Sequence, residues 1–443
     1  MDYPEFFELL INNYLKYLLA LILAIVFYFP FIKRQFISIF DPFFLSQIYS
    51  VFACSVVFFL MIMESMSSRL FYVYFFTQLL FFIGLNITKP PSINRNIKRD
   101  FIESSYQIRY IKVVFLLCFC LYFIFQMYSY SRFGIPIFAE SRLNIYDSDF
   151  ISKVLKRINE GSSPLLVFFT IVVLVNKRVG QKFKLLGWAA MIFILVTSVL
   201  SGARSAVLTL VTAYFCIALY SKYKFGFPEI WMKLYGVKWM LIGFMVIVVI
   251  FVVLLGGNNG VNPIYFIGYR LVASGDCFFM SYPNNVIDNI WQTSHNIVIE
   301  LFASPLRMIG LIQESDMPES IGFTIMKYHN PHIEFRGPNP RHNIFGYLLF
   351  GVPGCYIYSF IIGSLYSVSR NLVLKMSKTY FWQMAIYFLL MIAFSSIEGD
   401  YYTFLSILLN IIIIGVPIML ISSLLAIKSI KNETFSDGDL AKL

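Results

Sequence analysis

Hydrophobic residues in this chain fall in long continuous runs that are separated by shorter polar segments. A helix needs about 20 apolar residues to cross a hydrocarbon core of ~30 Å, so such runs predict membrane-spanning helices. The strands of a membrane β-barrel would instead alternate apolar and polar positions. We therefore predict an all-α, polytopic transmembrane helical bundle that forms a single integral membrane domain over 1–443. Its eleven predicted spans are 14–31, 42–62, 70–87, 110–131, 163–176, 185–200, 206–221, 234–256, 343–366, 380–397 and 403–427.

The longest polar interruption, residues 257–342, is predicted to be one large extracytoplasmic loop. Within it, residues 263–282 are apolar enough to form a helix, although they include Arg270 and Asp276. Residues 296–312 are too short and too charged to cross a bilayer, which favours a helix lying at the interface. The loop also gathers other titratable groups, so we predict that it forms part of the active site. These are His295, His329, His332, His342, Arg307, Arg336 and Arg341.

Composition and charge agree with a membrane protein and suggest its orientation. Of the residues, 58% are hydrophobic and 13% are charged, whereas a soluble domain has about a quarter charged residues. The net charge is +11, and Lys and Arg in short loops favour the cytoplasmic side. The loops that include Lys33, Lys89 and Lys177 belong to the more basic set, which predicts that they lie inside. The amino terminus and residues 257–342 are then outside, and the carboxyl terminus is inside.

The cysteines and histidines give little sign of a metal site or of disulfide bonds. The six cysteines fall mostly inside apolar runs, where they behave as small apolar residues. The rival use for the histidines is zinc, since His329 and His332 are three residues apart and Glu334 is close. A zinc site needs three or four ligands, and we favour no metal and no cofactor.

Arg204 lies in a turn between two short predicted spans, 185–200 and 206–221. At 1.5 Å per residue, about 16 residues cover only ~24 Å, so the turn is expected below the outer headgroups. A cation at that depth is costly without an anionic partner or water. The planar fork of Arg suits a phosphate group on a lipid-linked substrate. The simpler alternative is that Arg204 reaches lipid phosphate or pairs with a structural carboxylate.

Three stretches carry a resemblance to a known family. One is Ser201-Gly202-Ala203-Arg204-Ser205-Ala206, and another is Phe133-Gly134-Ile135-Pro136-Ile137-Phe138, followed by Arg142. The third runs from Pro338-Asn339-Pro340 through Phe345-Gly346-Tyr347 to Phe350-Gly351-Val352-Pro353-Gly354. With its many spans and one large loop in the second half, the chain resembles the O-antigen and capsular repeat-unit polymerases, the Wzy-type polymerases of the bacterial inner membrane. The likeness covers most of the chain as architecture but only some twenty residues as motif.

The resemblance implies a multi-pass membrane glycosyltransferase of lipopolysaccharide or polysaccharide biosynthesis, with its active site on the periplasmic side. The implied donor and acceptor are undecaprenyl-pyrophosphate-linked glycans, and undecaprenyl pyrophosphate is released. Membrane lipid and a chain-length regulator are the further partners implied, with no nucleic acid and no cofactor. Two alternatives stay open, namely a flippase or transporter of lipid-linked oligosaccharide and an O-antigen ligase.

The chemistry of this reaction assigns roles to residues of the predicted outer face. The leaving pyrophosphate develops charge that fixed cations stabilise, and its candidate ligands are Arg204, Arg270, Arg341 and Arg142. The acceptor hydroxyl needs a base within hydrogen-bond reach, for which the candidates are Asp276, His342 and Glu398. Tyr269, Trp291 and Asp400 are candidate glycan contacts. The alternatives are a solvated loop charge for Arg142, an interfacial histidine for His342 and an aromatic membrane belt for Tyr269 and Trp291.

Overall fold

The regular elements of this protein are helices throughout the part of the chain that the structure describes. The structure is a computed structural model, and it describes residues 1–91, 105–138, 150–201, 205–221, 263–290, 296–308, 310–313, 317–332, 337–376 and 381–427. Eight helices in these ranges are long and apolar enough to cross a membrane. The predicted all-α class is therefore confirmed for these residues, and the eight long apolar helices are consistent with a multi-pass membrane protein.

The helices of the first half are α1 Tyr3–Asn12, α2 Tyr14–Gln35, α3 Pro42–Ile62, α4 Ser68–Leu85, α5 Ser105–Phe133, α6 Phe150–Val175, α7 Gln181–Leu200 and α8 Ser205–Leu219. Those of the second half are α9 Pro263–Val272, α10 Asp276–Ser281, α11 Val286–Asn289, α12 Ile297–Met308, α13 Ile321–His329, α14 His342–Lys375, α15 Phe381–Ile397 and α16 Tyr401–Asn410. Short 3-10 turns lie at Pro136–Phe138, Ala273–Gly275 and Pro283–Asn285, and a π-helical turn at Ile411–Gly415 extends α16.

The predicted spans agree with these helices in position, although not all of them are shown to be spans. Eight predicted spans coincide with the eight long apolar helices. Two more, 206–221 and 380–397, coincide with the shorter apolar helices Leu208–Leu219 and Trp382–Ile397. The remaining span, 234–256, lies outside the described residues. A total of eleven spans stays a prediction, as does the side of the membrane on which 257–342 lies.

The chain divides into two compact units. The first comprises Met1–Pro91, Asn262–Lys375 and Ala393–Ser406. The second comprises Ser92–Val261, Met376–Ile392 and Ile407–Leu443. The organisation of the chain as a single integral membrane domain stays a prediction.

The second unit contains a buried polar network among its apolar helices. Asn159 on α6 donates to the Oε1 atom of Gln126 on α5 over 3.0 Å. The Nδ2 atom of Asn410 donates to Glu160 over 2.7 Å, while its Oδ1 atom accepts from Arg157 over 3.2 Å. Asn410 is 2% exposed, whereas Glu160 is exposed and Arg157 is partly exposed, so the amide is buried while the two charged side chains reach the surface. The π-helical turn begins directly after this amide.

In the first unit, α14 reverses direction instead of running straight. Gly351 has φ +65° and ψ −171°, a conformation that essentially glycine alone adopts. The two segments on either side of it pack against each other in opposite directions. The Nδ1 atom of His342 lies 3.0 Å from Ser359 Oγ, and the rings of Phe345 and Tyr358 are stacked 5.5 Å apart. A helix covers the predicted span 343–366, but it forms a hairpin with a short first arm, 342–350, and a long second arm, 352–375.

Helix α4 packs against both arms of this hairpin. Asn343 of the first arm donates to Thr77 Oγ1 over 2.8 Å. Glycines allow the second arm to approach closely, because a Cβ atom at Gly84 would lie 2.9 Å from the amide nitrogen of Ser364. Since Thr77 lies near the middle of α4, the hairpin holds the start of its first arm well inside the helix bundle.

A buried ion pair anchors the far end of the second arm. Arg370 pairs with Asp41, and both side chains are about 1% exposed. Arg370 also donates to Gln35 at the end of α2, and Asn371 donates to Thr88 just after α4. Asp41 additionally caps α3 by accepting from the amide of Phe43. One cluster therefore joins the ends of three helices to the second arm.

We predict that Gly351→Ala destabilises the first unit by about 1–3 kcal/mol, because alanine is strained in this backbone conformation. The expected result is a lower Tm of the full chain in detergent. Gly180→Ala is the matched control, since Gly180 has a negative φ of −61° and open space around its Cα. Equal Tm values for the two variants would contradict the reversal at Gly351.

Candidate functional site

A buried ion pair lies at the start of the hairpin, where three parts of the first unit meet. Arg341 directly precedes α14 and is 6% exposed. Its Nη2 atom donates to Glu398 Oε1 over 2.8 Å and to Ser50 Oγ over 2.6 Å. Ser50 lies near the middle of α3, so the residue before α14 and the turn after α15 meet at the level of the middle of α3. Burying such charges is tolerated only when each is paired and hydrogen-bonded.

Glu398 comes from the turn between α15 and α16. Its second carboxylate oxygen accepts from Gln47 Nε2 on α3 over 3.3 Å. Its backbone carbonyl accepts from the amide of His342 over 3.1 Å, which joins the turn to the hairpin. Asp400 in the same turn caps α16 by accepting from the amide of Tyr402 over 3.0 Å and from Thr403 Oγ1 over 2.6 Å. The turn is therefore held by its own carboxylates and by α3.

His342 lies beside this ion pair and is almost fully enclosed. Its ring stacks on Phe81 of α4 with 4.7 Å between the ring centroids. Its Nδ1 atom forms a hydrogen bond with Ser359 Oγ, whereas its Nε2 atom has no hydrogen-bond partner in the described part of the chain. With 1% of its surface exposed, the imidazole is far less open to a substrate than a group at the surface of the unit.

Asp276 lies at a break in the predicted helix over 263–282. The break is the 3-10 turn Ala273–Gly275, which packs against the middle of α3. Gly275 permits this contact, because a Cβ atom there would lie 3.0 Å from Ala53 Cα. Asp276 then starts α10 and accepts from Tyr3 Oη over 2.5 Å and from the amide of Cys277 over 2.9 Å.

Two of the predicted arginines, Arg270 and Arg341, influence the pKa of Asp276. Burial raises the pKa of this carboxyl to about 6. The hydrogen bonds from Tyr3 and the Cys277 amide, and then the charges of Arg270 and Arg341, lower this pKa and partly offset the burial. Asp276 is only partly exposed, so protein atoms surround most of its carboxyl group while some of the side chain remains accessible. One carboxylate therefore lies within the electrostatic field of both guanidinium groups.

Arg270 and Tyr269 lie at the open side of this cluster. Arg270 is exposed, and its Cζ atom lies 5.7 Å from the centroid of the Tyr269 ring. Phe7 of helix α1 stacks on the Tyr269 ring, with 4.2 Å between the ring centroids. Tyr3 of the same helix reaches Asp276, so α1 shields one side of the cluster and leaves Arg270 outside.

The helices of the predicted loop are tied to the same region. Tyr402 Oη donates over 3.3 Å to Glu300, which lies on α12 and is 1% exposed. The Nε2 atom of His329 at the end of α13 lies 2.7 Å from the carbonyl oxygen of Met280 on α10. His329 is thus engaged with the backbone, and no group of metal-ligating side chains occurs in the described part of the chain. All six cysteines are free thiols.

The structure brings together five of the predicted site residues and gives four of them partners that the sequence reasoning missed. Arg270, Asp276, Arg341, His342 and Glu398 lie in the first unit, with Tyr269 and Asp400 beside them. The missed partners are Tyr3 for Asp276, Gln47 for Glu398, Ser50 for Arg341 and Ser359 for His342. Gln47 and Ser50 gave a signal, because two polar residues three apart in an apolar run share one helix face. Arg142, Arg204 and Trp291 lie outside the residues whose side chains are described.

Comparison with known proteins adds no relative. No family model, no curated protein and no solved structure matches the chain. The resemblance to the Wzy-type polymerases stays a prediction, and the function must be argued from the site.

We predict that Glu398→Ala costs about 3–5 kcal/mol of stability, because it leaves the buried charge of Arg341 without its carboxylate. The measurement is the Tm of the full chain in detergent. Glu319→Ala is the control, since it breaks the exposed pair with Lys327, and such a pair contributes about 0–1 kcal/mol. Similar losses in both variants would show that Arg341 does not depend on Glu398.

We predict that stability depends on the ionisation of Asp276. The folded chain holds the pKa of Asp276 near 6, above the ordinary value of 3.8, so the folded state favours the protonated carboxyl. The stabilisation is complete below pH ~4 and is lost as the pH rises through about 6, by up to about 3 kcal/mol. The measurement is the Tm of the wild type relative to Asp276→Asn between pH 4 and 7. A difference that is constant over this range would contradict the assignment.

Proposed function

We propose that this protein is a membrane glycosyltransferase that polymerises undecaprenyl-pyrophosphate-linked oligosaccharide repeat units at the periplasmic face of a bacterial inner membrane. The observation that supports it is the shared environment of Asp276, Arg270 and Arg341. A carboxylate within the electrostatic reach of two guanidinium groups offers a proton acceptor near positive charge. The transfer of a sugar from a pyrophosphate to a hydroxyl needs both.

The proposed reaction forms one bond and breaks another at the anomeric carbon. The acceptor hydroxyl oxygen bonds to this carbon while the bond from carbon to pyrophosphate oxygen breaks. The electron pair leaves with undecaprenyl pyrophosphate, and the hydroxyl proton passes to the base. No oxidant or reductant is required. The acceptor oxygen supplies the electron pair of the new bond, and the leaving pyrophosphate oxygen keeps the electron pair of the broken bond.

Asp276 is the best-supported base of the three candidates. With a pKa of about 6, its carboxyl is mostly ionised at neutral pH and able to accept a proton. It retains accessible surface, whereas Glu398 is 3% exposed and His342 is 1% exposed. Glu398 is also engaged with Arg341. We therefore assign Glu398 to positioning and Asp276 to proton transfer.

The two arginines have different roles in this proposal. Arg270 is exposed, so it is the one that contacts the leaving pyrophosphate through its planar fork. Arg341 is held by Ser50 and Glu398, and it contributes a fixed positive field without moving. Charges that are already oriented stabilise a developing anion without a cost of reorganisation.

We predict that Arg270→Ala abolishes long glycan while the protein stays in the membrane, because the leaving pyrophosphate loses its direct cation. Arg270→Lys is expected to recover little, since Lys lacks the bidentate fork. The measurement is the glycan ladder on a gel from cells in which each variant replaces the wild-type chain. The control is Lys327→Ala, which removes one exposed positive charge elsewhere in the same unit. A wild-type ladder from Arg270→Ala would reject the assignment.

A flippase of lipid-linked oligosaccharide is the second candidate, and one observation favours it. Transporters place interrupted helices and charged groups deep in the membrane, and α14 reverses at Gly351 with an ion pair at its start. The fate of the substrate separates the two functions. A polymerase variant without activity leaves single repeat units on the outer face, whereas an inactive flippase leaves them on the inner face.

A further inference from the structure

A groove in the second unit has no role in the proposed reaction. It lies between α5 and α6 and has a volume of about 370 Å³. Its wall is apolar and consists of Ile124, Phe125, Tyr128, Ile151, Val154 and Leu155. Ile124 and Ile151 are 60% and 44% exposed, so the groove opens on the outside of this unit. Both helices belong to segments long and apolar enough to span a membrane.

A cation is hydrogen-bonded to one of the residues that line this groove. Arg132 lies one helical turn beyond Tyr128, and its Nη1 atom donates to Tyr128 Oη over 3.1 Å. The guanidinium is exposed and also lies over the ring of Phe133, with 5.4 Å from Cζ to the ring centroid. Tyr128 therefore lines the groove with its ring and holds the arginine with its hydroxyl. Arg132 lies in the last turn of α5, where a membrane helix approaches the headgroups.

We propose that this groove binds one hydrocarbon chain of an anionic bilayer phospholipid whose phosphate contacts Arg132. Lipid chains are as apolar as the groove, so the apolar contact alone does not select one lipid from another. Selection must come from the headgroup. The guanidinium makes strong charge-assisted hydrogen bonds to phosphate. Phosphatidylcholine carries the same phosphate together with a choline cation, so selection depends on the net negative charge of the headgroup. A basic residue near anionic lipid contributes about 1 kcal/mol, a preference of about five-fold.

This inference is independent of the proposed glycosyl transfer. It rests on residues of α5 and α6 alone, which include none of the residues proposed for catalysis. A lipid bound there is a structural or regulatory ligand of the second unit. Loss of lipid selection and loss of glycan synthesis are therefore separate outcomes that can be measured in the same preparation.

The test uses the full chain in nanodiscs and phosphatidylglycerol with a photoreactive diazirine in its acyl chain. After irradiation, the labelled peptides are mapped by mass spectrometry. We expect labelling to concentrate on 124–128 and 151–155. Unlabelled phosphatidylglycerol should compete about five-fold better than phosphatidylcholine. Labelling spread evenly over the exposed apolar helices, or equal competition by the two lipids, would overturn the proposal.

Two variants with matched controls separate the groove from its cation. Val154→Trp fills the groove and should remove the labelling, whereas Val196→Trp places the same ring at an exposed site on α7 and should leave it intact. Arg132→Gln should abolish the preference for phosphatidylglycerol, whereas Lys182→Gln removes an equal charge at the start of α7 and should preserve it. Unchanged selection in Arg132→Gln would refute the proposal even if the Trp variant fails to fold. Competition by a polyprenyl phosphate but not by phosphatidylglycerol would refute the phospholipid as the occupant.

Discussion

The ion pair between Arg341 and Glu398 is the contact on which the arrangement of the first unit depends. A guanidinium buried in the bundle requires a carboxylate and further hydrogen bonds, and these come from a distant turn and from Ser50 of α3. Meeting that requirement brings the turn over 398–400 against the start of the hairpin. Since Arg341 also acts electrostatically on Asp276, the same pair helps to set the charge of the proposed base.

A second buried pair makes this arrangement rigid. Arg370 and Asp41 fix the end of the second arm, some 30 residues along the chain from Arg341. A helix held by ionic contacts at both ends of a hairpin has little freedom to slide or rotate, because either movement leaves a charge unpaired. The close contacts of Gly84 with Phe360 and Ser364 add a steric limit along the middle. The first unit therefore presents Arg341 in a fixed position, as preorganised electrostatics require.

Much of the helical layout was predictable from the sequence, whereas the geometry of the site was not. Long apolar runs specify helices of membrane length directly, so α2, α3 and α4 begin and end close to their predicted bounds. The reversal at Gly351 depends on a single backbone conformation, which an apolar run does not reveal. Likewise, the side-chain chemistry of Asp276, Arg341 and Glu398 made them candidate site residues. Their proximity in the fold depends on long-range packing, which the sequence alone does not reveal. Gln47 and Ser50 mark the limit of what the sequence predicts. Their spacing places both on one polar helix face, but only the fold shows that this face contacts Glu398 and Arg341.

Burial divides the candidate residues into a frame and an open face. Arg341, Glu398 and His342 are at most 6% exposed, and their hydrogen bonds go to other parts of the protein. Arg270 is exposed, and Asp276 is partly so. A well-packed apolar substitute for a buried ion pair is often as stable as the pair itself, so stability alone is a weak reason for placing charges there. Under the proposed function, the guanidinium of Arg341 acts electrostatically on Asp276 beside Arg270, which gives the pair a role other than stability. In the proposed reaction, this frame holds Arg341 in place while Arg270 and Asp276 contact the substrate.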